Sequence, residues 1–276
     1  MAKTTEISWT DSTFNPWIGC TKVGPGCDHC YAEALMDTRW HRVHWGSGQA
    51  RQRTSAANWK QPLLWEKEHY AFALIHGRRR RVFCASLADV FDNEAPPLWR
   101  VELLKLIGAT EHLDWLLLTK RIGNVKRLLC EAAELAHERG LLATAHWITA
   151  WVDGDPPPNV WLGATMVNQD EADRDMHKLL AVPASVRFLS VEPMLGPIRL
   201  AEHGLHGGPG QLDWVIVGGE SGHGSRPIKR EWIDGLQHEC ETAGASFFFK
   251  QWGGSSSTAG GCDLDGAQVK EWPCVA

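Results

Sequence analysis

A parallel α/β fold is predicted by three features of this 276-residue chain. Six short apolar runs recur along it, amphipathic stretches of helical period alternate with them, and polar residues crowd the C-terminal end of each run. Continuous apolar runs of this length suit strands buried on both faces. Alternation with helices then implies right-handed crossovers. The expected architecture is a single-domain parallel (βα) barrel, of partial (βα)6 type, over residues 1–254. An insertion is expected at about 44–80 and a loose tail at 255–276.

The elements follow in order. A first strand is expected near EISWTDSTFNPW, starting at Glu6, then a cysteine-bearing loop, then a helix over CYAEALMDTRWHRV (30–43). Residues 44–80 read as a polar insertion. The six runs are RVFCASLADVF (81–91), LDWLLLTKR (113–121), NVWLGATM (159–166), VRFLSVEP (186–193), DWVIVGGESG (213–222) and ASFFFKQWGG (245–254). Apolar residues three and four apart predict helices over 99–110, 124–140, 169–182 and 229–244. Gly140 and Gly244 stand where helix C-terminal glycines belong.

Composition narrows the function classes. Hydrophobic content of 43% and charged content of 22% fit a globular protein, and no apolar stretch reaches bilayer-spanning length. The polar N-terminal sequence predicts a cytoplasmic protein, in which eight cysteines read as thiols or metal ligands rather than disulfides. A net charge of −5 argues against a protein that simply coats nucleic acid. The run Arg78–Arg81 reads as a solvated loop or a phosphate contact, and fifteen tryptophans suit a core or a base-stacking pocket.

Ligand sites in parallel α/β proteins lie over the carboxyl ends of the strands. Here those ends carry Ser86 and Asp89; Thr119, Lys120 and Arg121; Thr165, Asn168 and Gln169; Ser190 and Glu192; Glu220 and Ser221; Lys250 and Gln251. The repetition predicts a polar, mixed-charge cavity, against the simpler reading that Asp89 or Asn168 caps a helix. Glu192 and Glu220 directly follow apolar runs, so each needs a cationic partner such as Lys120, Arg121 or Lys250.

Cys20, Cys27 and Cys30 form a C-x6-C-x2-C pattern. Three metal readings are open: structural zinc completed by His29, a ferredoxin-like cluster, or a [4Fe–4S] cluster with one open iron. Cys84 and Cys130 read as core thiols.

These cysteines, in NPW-x-GC…GC-x2-CYAE, stand with LTKR, LGATMVNQ, LSVEPMLGPI, DWVIVGGESG and FFFKQWGG. Over residues 7 to about 254 the combination resembles the radical S-adenosylmethionine (SAM) superfamily, in a phage- and mobile-element-borne branch; the superfamily's usual spacing is C-x3-C-x2-C. The resemblance implies a radical-SAM-like barrel, Cys20, Cys27 and Cys30 on a [4Fe–4S] cluster, and SAM on the open iron. An external electron donor would reduce the cluster, and SAM cleavage would yield a 5′-deoxyadenosyl radical. His29 or Tyr31 would lie by the adenine, Ser86 and Asp89 by the methionyl amine, and Lys120 or Arg121 by the carboxylate. Thr165 and Asn168 would bind ribose, while Glu192, Glu220 and Lys250 would face the substrate. The expected substrate is a nucleobase or hypermodified nucleoside, such as an amino-acid-modified thymine in phage DNA. The alternatives are a pyrimidine photoproduct lyase-like repair enzyme and a zinc-stabilised nucleic-acid-binding module without catalysis.

Overall fold

In the computed structural model, which describes residues 5–203 and 211–274, the apolar runs form parallel strands. Seven of them lie in one sheet: β1 (Ser12–Thr13), β4 (Arg80–Cys84), β5 (Leu113–Thr119), β6 (Val160–Thr165), β7 (Val186–Val191), β8 (Trp214–Gly218) and β9 (Ser246–Gln251), in that order. A second, two-stranded sheet pairs β2 (Trp17–Ile18) with β3 (Gln52–Arg53), antiparallel. Helices flank the main sheet. This bears out the coarse expectation of a parallel α/β sheet with helical crossovers.

By its internal contacts the chain divides into two compact units. The first comprises Met1–Thr21, Ala32–Trp161 and Val182–Ser185; the second comprises Lys22–Tyr31, Leu162–Ala181 and Val186–Ala276. In the first, β4 pairs with β1 through Ser12↔Val82 and with β5 through Val82↔Trp115, all parallel. Its helices are α2 (Ala56–Lys67), α3 (His69–His76), α4 (Pro97–Gly108), α5 (Val125–Glu138) and α6 (Leu142–Val152). A short α1 (Tyr31–Glu33) runs into a π-helical segment, Ala34–Arg39, so the helix expected over 30–43 stops early.

Local sequence explains these helices. Ser55 is extended and its hydroxyl accepts the Asn58 N–H at 3.2 Å, an N-cap for α2. Gly77 adopts φ +67° and closes α3 in the left-handed conformation that glycine tolerates best. Pro97 opens α4, where its missing N–H costs nothing. In α5 the buried residues Val125, Leu128, Leu129, Ala132, Ala133 and Ala136 trace one helical stripe.

The second unit holds β7, β8 and β9, with α7 (Gln169–Leu180) and α8 (Arg230–Ala243). Strand pairing is again parallel, Ser190↔Ile216 and Ile216↔Phe248. Acidic residues Asp170 and Glu171 start α7 while His177 and Lys178 end it, which complements the helix dipole. At Gly163 an added Cβ would collide with the Phe188 ring, so only glycine fits that strand position.

Three expectations need correction. The stretch 44–80 is not merely polar insertion, because α2 and α3 lie within it and bury Trp65 and Phe72. Helix α6 was not expected, since its all-round apolar sequence hides the 3.6-residue period. The tail is tied down rather than loose: Phe249 N–H donates to Val269 O at 2.8 Å and Glu271 N–H to Phe247 O at 3.0 Å.

Candidate metal centre and polar clusters

The four-arginine run is buried only at Arg81, but each of its members has a partner. Arg78 makes a bidentate pair with Asp11 at 2.6 and 2.8 Å. Arg79 reaches Asp114 at 3.9 Å. Arg80 stands 4.2 Å over the Phe72 ring, and buried Arg81 stands 5.4 Å from Trp161. Burial pulls the Arg81 guanidinium down to about 10, and burial pushes the Asp114 carboxyl up to about 6. Arg78 and Arg81 thus anchor the start of β4, while Arg79 stays exposed.

In the first unit, the predicted residues at the ends of β4 and β5 converge on Asp89. Its buried carboxylate accepts from Thr119 Oγ1 at 2.7 Å, Phe91 N at 2.9 Å, Lys120 N at 3.0 Å and Arg121 Nη1 at 3.1 Å. Arg121 also donates to Thr21 O at 2.6 Å and reaches the Cys20 sulfur at 3.3 Å. Burial, reinforced by Asp89, pushes the Cys20 thiol up to about 12 despite Arg121. Ser86 accepts a hydrogen bond from Asn15 Nδ2 at 2.9 Å. The cluster holds loops to strand ends.

An expected result follows for Cys20. A thiol at about 12 is ionised at pH 8 to about one part in ten thousand, against roughly a quarter for an ordinary thiol near 8.5. Iodoacetamide at that pH should label exposed Cys274 far faster than Cys20, read by peptide mass spectrometry. Equal labelling would refute the thiol assignment.

In the second unit, Glu220 lies just past β8 and is buried. It accepts from Arg226 N and Nε, both at 2.9 Å, and from Arg226 Nη2 at 2.5 Å, while His29 Nδ1 lies 2.8 Å away. Arg226 continues to Asp28 Oδ2 at 3.0 Å and Pro25 O at 2.8 Å, fastening the 25–29 loop. Burial alone would raise the Glu220 carboxyl, but the Arg226 bonds and His29 outweigh it and hold it down at about 2. A depressed acid adds stability that is complete above its unfolded value, about 4.5, and fades as pH falls towards 2. Melting temperatures of wild type and Glu220→Gln should therefore converge on acidification across that window. A gap that stays constant down to pH 2 would contradict the assignment.

Glu192, past β7, pairs with Lys250 of β9 at 2.7 Å, so the internal cation expected for it is Lys250. A Cβ at Gly218 would lie 2.9 Å from Glu192 Oε1, so the glycine leaves room for this carboxylate. Asn168 caps α7, accepting Glu171 N–H at 3.0 Å. Thr165 is buried at the end of β6, and Tyr31 is exposed at the start of α1.

Among the described residues, the group of three metal-ligating side chains whose donor atoms all lie within 4.8 Å of one another is Glu66, His69 and His112. Glu66 is in the last turn of α2, His69 opens α3, and His112 immediately precedes β5. His112 Nδ1 is 2.5 Å from Glu66 Oε1, and its backbone N–H donates to Glu66 Oε2 at 3.2 Å. The two imidazoles stack at 3.9 Å with planes 16° apart, and His69 Nδ1 lies 2.7 Å from Glu66 O. All three residues are half-buried, so an ion can enter. Two imidazoles and a carboxylate form a donor set that suits zinc and related divalent ions.

This finding corrects the iron–sulfur expectation. The clustered donors are nitrogen and oxygen, and Cys20, Cys27 and Cys30 form no comparable group. Cys20 is instead engaged by Arg121, whose Nη1 lies 3.3 Å from its sulfur. The [4Fe–4S] cluster, the SAM chelated to it, and the radical enzyme built on both are therefore withdrawn. The photoproduct lyase alternative shared that cluster and falls with it. Among the described residues Cys20, Cys27, Cys30 and His29 do not gather into a Cys3His zinc group either.

The sequence reading missed Glu66, His69 and His112. The available signal was Glu-x-x-His, a spacing that puts both side chains on one face of a helix. The family model described as "Protein of unknown function (DUF5131)" matches residues 4–273, and the chain belongs to that family. No curated protein and no solved structure matches it.

Proposed function

We propose that this protein is a zinc-stabilised nucleic-acid-binding module, with one ion held by Glu66, His69 and His112. The carrying observation is the gathering of those three donors within 4.8 Å from three separate element ends. Zinc there would be held by two imidazole nitrogens and one carboxylate oxygen. Its mechanical effect is to fasten the α2–α3 junction to the segment that leads into β5. Because such an ion binds the folded chain, its binding energy becomes folding energy. The nucleic-acid half of the reading rests on exposed basic and aromatic side chains of the same compact unit.

Metal analysis of protein purified without chelators tests the metal half. Wild type should carry one zinc per chain, and His112→Ala and Glu66→Gln should each lose most of it. Zinc content unchanged by both variants would move the ion elsewhere, and a wild type unable to take up zinc would end the reading.

A further inference from the structure

The segment Arg39-Trp40-His41-Arg42-Val43-His44 starts at the last residue of the π-helix. Arg39, Trp40, His41, Arg42 and His44 are all exposed, while Val43 points inward and packs with Ile18 and Met36. The strip is therefore not a solvated coil. Its backbone is pinned by Trp40 N–H to Leu35 O at 3.1 Å, His41 N–H to Asp37 O at 3.1 Å and Arg42 N–H to Met36 O at 2.8 Å. Asp37 accepts the Trp45 N–H at 2.7 Å, which closes the loop from its far side. His41 adopts φ +47°, unusual for a residue with a side chain, and turns the chain between Trp40 and Arg42.

The side chains held out in this way have a common chemistry. Trp40 is 48% exposed, and the Arg42 guanidinium stands 5.4 Å from its ring centroid. Folding leaves 48% of this large apolar side chain in water. Flat aromatic rings beside guanidinium groups bind unpaired bases by stacking while the cations take the flanking phosphates. Arg78, Arg80 and Arg81 are less available for this, since they face Asp11, Phe72 and Trp161. The acidic net charge of −5 is no obstacle, because phosphate contacts act locally within a screening length of about 8–10 Å.

We propose that Arg39–His44 is a contact surface for single-stranded nucleic acid, with Trp40 stacking on a base and Arg39 and Arg42 on neighbouring phosphates. This rests on the nucleic-acid half of the function proposed above. Double-stranded partners fit less well, since paired bases hide the faces that Trp40 would cover.

Fluorescence anisotropy with the full-length, zinc-loaded protein tests it. The probes are labelled oligo-dT and oligo-U of about 16 nucleotides, the upper range of one site, and a duplex of equal length. Both single strands should bind in low salt of about 50 mM. Trp40→Ala should weaken binding by about 10-fold or more, and Trp40→Phe should recover much of the loss. Arg39→Gln and Arg42→Gln should each flatten the plot of log affinity against log salt by about 0.7. Circular dichroism confirms that each variant is folded. Wild-type binding that all these variants retain in full would overturn the strip but leave the nucleic-acid reading standing. No binding of either strand by wild type would overturn both. Tighter binding of the duplex, or equal displacement by polyglutamate, would overturn the stacking role.

Discussion

Replacing Asp89 by alanine is expected to destabilise the protein by about 3–5 kcal/mol, the cost of leaving a buried charge without its partner. Asp89 and Arg121 both have side chains only 7% exposed, so water cannot replace the lost contact. The carboxylate also satisfies Thr119 Oγ1 and the backbone N–H groups of Phe91 and Lys120. Removing it strands these donors as well as the guanidinium, and Asp92 at 4.0 Å from Arg121 is too distant to compensate. Asp89→Asn keeps an acceptor oxygen but loses the charge, and should fall between wild type and alanine. Guanidinium chloride titration reads the difference as a lower midpoint with an unchanged slope. A loss under about 1 kcal/mol would mean that this cluster does not hold the strand ends together.

Zinc is expected to have the next largest effect. An ion that binds only the folded chain stabilises it by about 4 kcal/mol when free zinc is a thousandfold above its dissociation constant. At about 2 °C or more per kcal/mol for a chain of this size, the melting temperature should rise by roughly 8 °C. The rise should grow with the logarithm of zinc concentration and vanish on chelation. His69→Ala and His112→Ala should melt at one temperature with or without zinc, near that of chelated wild type. A wild-type melting point indifferent to both zinc and chelator would remove the stabilising role.

Much of the scaffold was legible in the sequence, and the site was not, for physical reasons that particular residues show. The runs that became β4 to β9 are continuous and apolar because both faces of a parallel strand are covered. Gly244 ends α8 at φ +69°, where a side chain would be strained, so its place in the sequence marked the boundary correctly. By contrast, the same four letters Arg78–Arg81 describe a solvated loop or a set of paired anchors, and the position of Asp11 is what ties Arg78 down. Cys20 is similar: spacing made it look like a ligand, while its sulfur lies beside the Arg121 guanidinium. The metal-capable group was hidden because His112 is remote in sequence from Glu66 and His69. The Glu-x-x-His signal gains meaning only once α2 and α3 are assigned.

X-ray absorption at the zinc edge of the loaded wild-type protein tests the central claim most directly, since it reads the donor atoms themselves. Coordination by Glu66, His69 and His112 predicts a first shell of nitrogen and oxygen at about 2.0–2.2 Å, with the outer-shell pattern of imidazole. The signal should weaken in parallel with zinc content in His69→Ala and His112→Ala. Sulfur scatterers at about 2.3 Å would instead place the ion on cysteine and contradict the account.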